Sequence, residues 1–153
     1  DYVVEVDSIG DNEKIVSGTT KIATDPQKLT IARNALDLMV HTGIFRDGMS
    51  FQAGAGGISL ATTKYVGELL KEKGYTTGFI DGGVTQHVVD IYNNGNCKKI
   101  LDGQSFDVIS IEDMLNNPDH VEITPNYYAN PWNKGCLCNI LDAVVLGATE
   151  ADI

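Results

Sequence analysis

Two glycine-rich segments constrain this chain more than any other feature. Gly54-Ala55-Gly56-Gly57 follows the short apolar run Met49–Ala53, and Asp81-Gly82-Gly83 follows Thr77–Ile80. Each leads into residues with helical spacing: Ile58, Ala61, Tyr65 and Leu69 after the first, Val88, Ile91 and Tyr92 after the second. Strand, glycine turn and helix repeated in that order predict an open, mainly parallel α/β sheet flanked by helices. Ligands of such sheets bind at the carboxyl ends of the strands, where both glycine segments fall.

The remaining elements are read from caps and breakers. Tyr2–Val6 reads as a strand, followed by a polar turn through Gly10-Asp11-Asn12. Asp25-Pro26 opens a helix, with Asp as N-cap and Pro at the first helical position. Leu29, Ala32, Leu36 and Met39 mark its inner face and Gly43 its stop, while His41 sits one turn after Asp37 as a surface pair. Gly74 closes the second helix, and Thr85 to Gly95 bound a third. Lys99-Ile100-Leu101 reads as a short strand and Ser110-Ile111-Glu112-Asp113 as a capping-box start before Pro118. His120 to Lys134 reads as ordered loop.

Composition narrows the function classes. At 153 residues the chain is one domain's worth, with 42% apolar and 21% charged residues. It carries 11 basic against 21 acidic residues, a net charge of −10, which argues against nucleic acid and anionic membranes. No apolar run approaches the ~20 residues that cross a bilayer. No secretory signal opens the chain, which starts at Asp1 rather than Met, and the apolar stretch Ala143–Ala148 stops close to its end. Both ends are therefore expected to be cut, leaving residues 1–153 as a single partial domain. The odd set Cys97, Cys136 and Cys138 is expected to be free thiols in a reducing cytoplasm, and no metal site is expected.

The first glycine segment joins a strand to a helix whose opening amides lack intrahelical partners. Those amides and the helix dipole suit a phosphate, a carboxylate or a thioester oxyanion, and glycine lets a ligand approach the backbone. Tight packing is the competing explanation. The spacing of Gly54, Gly56 and Gly57 is not the dinucleotide G-x-G-x-x-G, nor does Gly-Lys-Ser/Thr follow as in a P-loop. Asp81-Gly82-Gly83 reads either as a ligand-facing loop beside the first or as a turn in which Asp81 fixes the backbone. No G-x-S-x-G elbow is present. His87 lies within reach of the same strand ends, with a packed or surface role as the alternative, and His120 remains open.

Several segments together carry a family resemblance. Phe51-Gln52-Ala53-Gly54-Ala55-Gly56-Gly57-Ile58-Ser59-Leu60-Ala61 resembles a stretch of citrate lyase alpha subunits, as do Gly82-Gly83-Val84-Thr85 and Leu101-Asp102-Gly103-Gln104-Ser105-Phe106-Asp107. His120-Val121-Glu122-Ile123, Tyr128-Ala129-Asn130-Pro131 and Lys134-Gly135 follow in the same order. The resemblance implies a CoA-transferase-like fold and a full subunit about three times longer than this chain. It implies a transferase that exchanges acetyl for citryl on the thiol of an acyl carrier protein, with acetate released. Its partners would be a gamma subunit, whose phosphoribosyl-dephospho-CoA arm bears the acetyl thioester, and a beta subunit that splits the citryl thioester. No permanently bound cofactor is implied, the setting is the cytoplasm, and an exposed sheet edge would favour a homo-oligomer. Citramalate lyase alpha chains are similar enough to share the pattern.

Other CoA transferases place a nucleophilic Glu just after the strand read here as ending at Ile80. This chain has Gly82-Gly83 there and no Glu between Glu72 and Glu112. The resemblance therefore implies direct attack of a citrate carboxylate on the thioester, without a glutamyl intermediate. In that scheme Gly54, Gly56, Gly57 and Gln52 supply donors. Ala55, Ser59, Asp81, Gly82, Gly83, Asn126 and Asn130 line the substrate or CoA-arm site. The alternatives are an acyl-CoA hydrolase or acetate CoA-transferase, and a ligand-sensing or assembly domain of the same fold.

Overall fold

Asp25 starts the first helix in the way its position predicts. The computed structural model describes residues 3–11, 20–129 and 132, together with the backbone of 143–145. In α1 (Pro26–His41), Asp25 Oδ1 accepts from the amides of Gln27 at 2.8 Å and Lys28 at 3.2 Å. Ala32 and Met39 are buried, and Thr42 and Gly43 (φ 76°) end the helix. There follow β1 (Phe51–Ala53), α2 (Gly57–Lys73), β2 (Ile80–Val84), α3 (Gln86–Asn93) and β3 (Ile100–Ser105). The described chain closes with α4 (Val108–Asn116), β4 (His120–Glu122), α5 (Pro125–Tyr128) and β5 (Ala143–Val145).

The strands form one sheet in the order β4-β3-β2-β1-β5, every pair parallel. This is the open parallel α/β sheet that the glycine-punctuated repeat predicts. From β1 to β4 each crossover steps the same way, which for right-handed connections puts α2, α3 and α4 in one layer. Their contacts agree: α2 packs between α1 and α3, and α3 against α4. Phe51, Ala53, Ile80, Val84 and Ile100 meet Val66, Leu70, Val88, Val89 and Ile91 in the core beneath them. Alternation along the strands then sends Gln52, Asp81, Leu101 and Val121, which share one register row, to the opposite face.

Several expectations are corrected. Residues 3–6 form no strand; Val3 is 97% exposed, and β1 already has β2 and β5 as neighbours. The buried stripe of α2 is rotated from the expected one: Ser59, Leu60, Ala61, Thr62, Thr63, Val66 and Leu70 are buried, while Ile58, Tyr65 and Leu69 are half-exposed. Thr62 hides its polarity by donating to the Ile58 carbonyl at 2.9 Å, and Tyr65 lies under the Arg33 guanidinium at 5.1 Å. Asp81-Gly82-Gly83 is no loop, because β2 begins at Ile80 and runs through it. Ser110 is the third residue of α4, not its start; Asp107 is the N-cap. The stretch from His120 holds β4 and α5, not only loop.

Gly82 shows why β2 continues through its glycines. Its φ is 103°, and a Cβ there would sit 2.5 Å from the Ala53 carbonyl oxygen and 2.9 Å from Gln52 Cγ. Gly82 faces Asp102 while Gly83 faces Gln104, so Gly103 is an extra residue that bulges β3. Gly82→Ala is expected to destabilise the protein by roughly 2 kcal/mol or more, read as a lowered denaturant midpoint. An unchanged midpoint would show that β1 and β2 can move apart freely.

Candidate active site

The carboxyl ends of β1, β2 and β3 border a shallow cleft of about 270 Å³, lined by Gln52, Gly82, Gly83, Gly103, Gln104, Phe106 and Tyr128. The two glycine segments meet beside it. A Cβ on Gly83 would lie 2.7 Å from Phe106 Cε2 and 3.5 Å from Ala55 Cβ, so the bare backbone at Gly83 is what seats Phe106 there. Tyr128, brought over by α5, donates its hydroxyl to Gln52 Oε1 and fixes that side chain across the cleft.

The helix starts at this edge differ in a way that matters electrostatically. Asp107 serves two of them: Oδ2 accepts from the Gln86 amide at the start of α3, and Oδ1 from the Ser110 amide in α4, both at 2.8 Å. Those positive ends already hold an anion. Gly56 caps α2 with no side-chain hydrogen bond, so the positive end of this longer helix is left for something else.

The residues of the first loop divide by role. The Gly54 amide, expected to face ligand, is taken by Ser59 Oγ at 2.9 Å; Gly54 and the buried Ser59 thus shape the loop from within. Gly57 accepts from the Ala23 amide at 2.9 Å, and a Cβ there would press on the Lys21 carbonyl at 2.9 Å. Its lack of a side chain is thereby explained by packing, while its own amide lies in the open first turn of α2. Gly56 is exposed and Ala55 half-exposed. Asn126 lies exposed on α5 and is not among the residues lining the cleft, which Tyr128 of the same helix reaches. Asn130, Cys136 and Cys138 lie outside the described residues.

Asp81 is the unusual member. It is fully buried, yet neither carboxyl oxygen has a partner beyond the residue's own amide. It does not pin a turn, as one reading expected. Burial drives its carboxyl from 3.8 up to about 7, partly offset by that backbone contact.

The comparisons with known proteins agree with this arrangement. The family model for citrate lyase, alpha subunit (CitF), matches residues 1–153. The chain belongs to the citrate lyase alpha subunit family. It is 42% identical to the citrate lyase alpha chain of Klebsiella pneumoniae over 153 residues, all of this chain and 30% of that one. With the alpha chain of Escherichia coli (strain K12) it shares 42% over 152 residues, 99% of this chain and 30% of the relative. A Streptococcus mutans protein assigned as alpha subunit of citrate lyase, crystallised in complex with citrate, superposes with a TM-score of 0.81 at 38% identity. That match covers 91% of this chain and 28% of the other. The chain thus spans under a third of the length of these citrate lyase alpha relatives.

Other titratable residues fall away from the cleft. His87 does not reach it: the ring lines a groove between α2 and α3 with Lys64, Glu68 and Asp90, and burial lowers its titration. His41 meets the Asp37 carbonyl at 2.7 Å, not the carboxylate. Cys97 is a buried free thiol. Among the described residues no cluster of three or more ligating side chains could hold a metal ion, and no helix is long and apolar enough to cross a membrane.

His120, left open by the sequence, proves to be a buried connector. Nδ1 lies 2.8 Å from Asp113 Oδ2 of α4 and Nε2 lies 3.2 Å from Asp102 Oδ2 of β3, which also accepts from Ser105. Burial works against the charged ring, but the hydrogen bonds and charges of Asp102 and Asp113 outweigh it, so His120 titrates above 6.5. The folded state then binds a proton more tightly than the unfolded chain. This stabilisation is complete below the ordinary value of 6.5 and is lost as pH rises through the folded value. A melting temperature that falls across that window in the wild type, and loses this component in His120→Gln, is the expected result. Identical pH profiles would refute the assignment.

Proposed function

We propose that this chain forms the acyl-transfer cleft of a citrate lyase alpha subunit, where citrate displaces acetate from a carrier-bound thioester. The observation that carries the reading is the start of α2, without a side-chain cap and one residue beyond Ala55, which approaches Gly83 at the edge of the cleft lined by Gln52, Gly82 and Gly83, in a chain of this family. A thioester carbonyl gains negative charge on oxygen when attacked, and preorganised amides with a helix dipole are complementary to that charge. Gly56, Gly57 and Gln52 are the donors, Ala55, Gly82 and Gly83 leave room for the thioester, and Gly54 and Ser59 set the loop's shape. Asn126 and Asn130 stay candidates for the outer rim of the substrate site.

The acceptor is citrate, supported by the relative crystallised with it. Its carboxylate attacks the acetyl carbonyl, the C–S bond breaks, and the mixed anhydride formed is opened by the same sulfur to give citryl thioester and acetate. No Glu lies between Glu72 and Glu112 to intervene covalently. The thiol belongs to the phosphoribosyl-dephospho-CoA arm of a gamma subunit, and a beta subunit then cleaves the citryl group, in the cytoplasm. Positioning the two acyl groups together supplies much of the rate.

The test uses the full-length subunit with acetylated carrier protein. Citrate should be converted to citryl thioester, and Gly56→Val should lower that rate about 100-fold or more while the subunit stays folded, as judged by circular dichroism. Retained activity would remove the loop from the mechanism. Faster turnover with acetate or water as acceptor would point to a CoA-transferase or hydrolase instead.

A further inference from the structure

The sheet face opposite the helices carries one group that neither the fold nor the donors described above use. Asp81 is fully buried in β2, the central strand, with Gln52 and Leu101 beside it in the register row. Side chains in one row project from the same face of a parallel sheet. Asp81 therefore stands alongside Gln52, whose amide is held across the cleft by Tyr128, and directly before Gly82, which lines the cleft. Neither carboxyl oxygen has a partner beyond the residue's own amide.

A buried carboxyl without partners weakens a fold, because an unpaired buried polar group costs about 1–3 kcal/mol. Here no compensating structural bond exists among the described residues. The row neighbours Gln52 and Leu101 carry no charge, and neither does Tyr128 beyond Gln52. No charged side chain contributes to the Asp81 titration, which burial, partly offset by the residue's own amide, drives to about 7. Such a group is half protonated near neutrality, poised to give and take a proton rather than to act as an anionic nucleophile.

We propose that Asp81 is the proton carrier of the thioester exchange, giving its proton to the departing thiolate and recovering it when the thiol attacks again. The assignment rests on the acyl-transfer reading above. In the first half, a citrate carboxylate oxygen bonds to the acetyl carbon, the C–S bond breaks with its electron pair going to sulfur, and the Asp81 carboxylic acid protonates that sulfur. In the second half, Asp81 carboxylate removes the proton as sulfur bonds to the citryl carbonyl, and the C–O bond to acetate breaks. Acetate leaves, citryl thioester remains, and Asp81 is again a carboxylic acid.

The experiment compares wild-type, Asp81→Asn and Gly56→Val full-length subunits with acetylated carrier protein and citrate. Asp81→Asn should lower kcat about 100-fold or more while the KM for citrate stays within about threefold. Wild-type kcat should fall as pH rises through about 7, the value to which burial brings Asp81, and this limb should be absent from the Asn variant. The variant should melt no lower than wild type, since it loses only an unpaired carboxyl. Activity within threefold of wild type, or a pH limb that persists in Asp81→Asn, overturns the proposal while leaving the transferase reading intact if Gly56→Val is dead. A hydroxylamine-sensitive acyl group on Asp81 overturns it in favour of a nucleophilic carboxylate. Absence of citryl transfer by the wild type itself overturns both.

Discussion

The cleft depends on a close backbone approach at Gly82, where the positive φ aims the place of a Cβ into β1 and only a residue without one fits. At Gly82 the space a Cβ would fill is occupied by the Ala53 carbonyl and the Gln52 stem, and the positive φ turns the backbone through that gap. The approach places Gly83 against Ala55 and Phe106 and leaves Gly103 as a bulge in β3. Parallel strands ending together open a crevice at their carboxyl ends, and here three glycine-bearing segments deepen it. Neither glycine segment makes the site alone; it arises where they touch.

Electrostatics then selects one helix from several. An anion held at a helix start gains about 0.3–1 kcal/mol at an exposed site from the macrodipole, and more where water is excluded. By occupying α3 and α4 with one carboxylate, the chain leaves the field of α2 as the uncommitted one at this edge. A chain with a net charge of −10 can therefore still receive an anionic ligand, because local amides act over shorter distances than the overall charge repels.

Much of the architecture was legible because local chemistry and tertiary position agreed. Asp25-Pro26, Gly43 and Gly74 mark their boundaries through backbone preferences that packing does not override. The parallel sheet follows from the order of elements. What misled were residues whose polarity is cancelled in place: Ser59, Thr62 and Thr63 are buried on α2, although the apolar spacing placed the inner stripe at Ile58, Ala61, Tyr65 and Leu69. Asp81-Gly82-Gly83 read as a ligand-facing loop or a turn, although β2 runs through it and Gly82 packs on Ala53. At the site, Gly82 and Gly83 were legible from the glycine pattern, and Gln52 only from the family resemblance. Tyr128 was not singled out, since its partner Gln52 lies 76 residues away, and nothing local to His120 announces Asp102 and Asp113.

The shared carboxylate of Asp107 has a consequence for how the domain comes apart. Because the same side chain closes the first turn of α3 and the first turn of α4, neither helix can fray from its leading end without loosening the other. Regions coupled in this way tend to open as one cooperative unit. Amide hydrogens in the two helices would then exchange with solvent in concert, although the whole of β3 separates them along the chain.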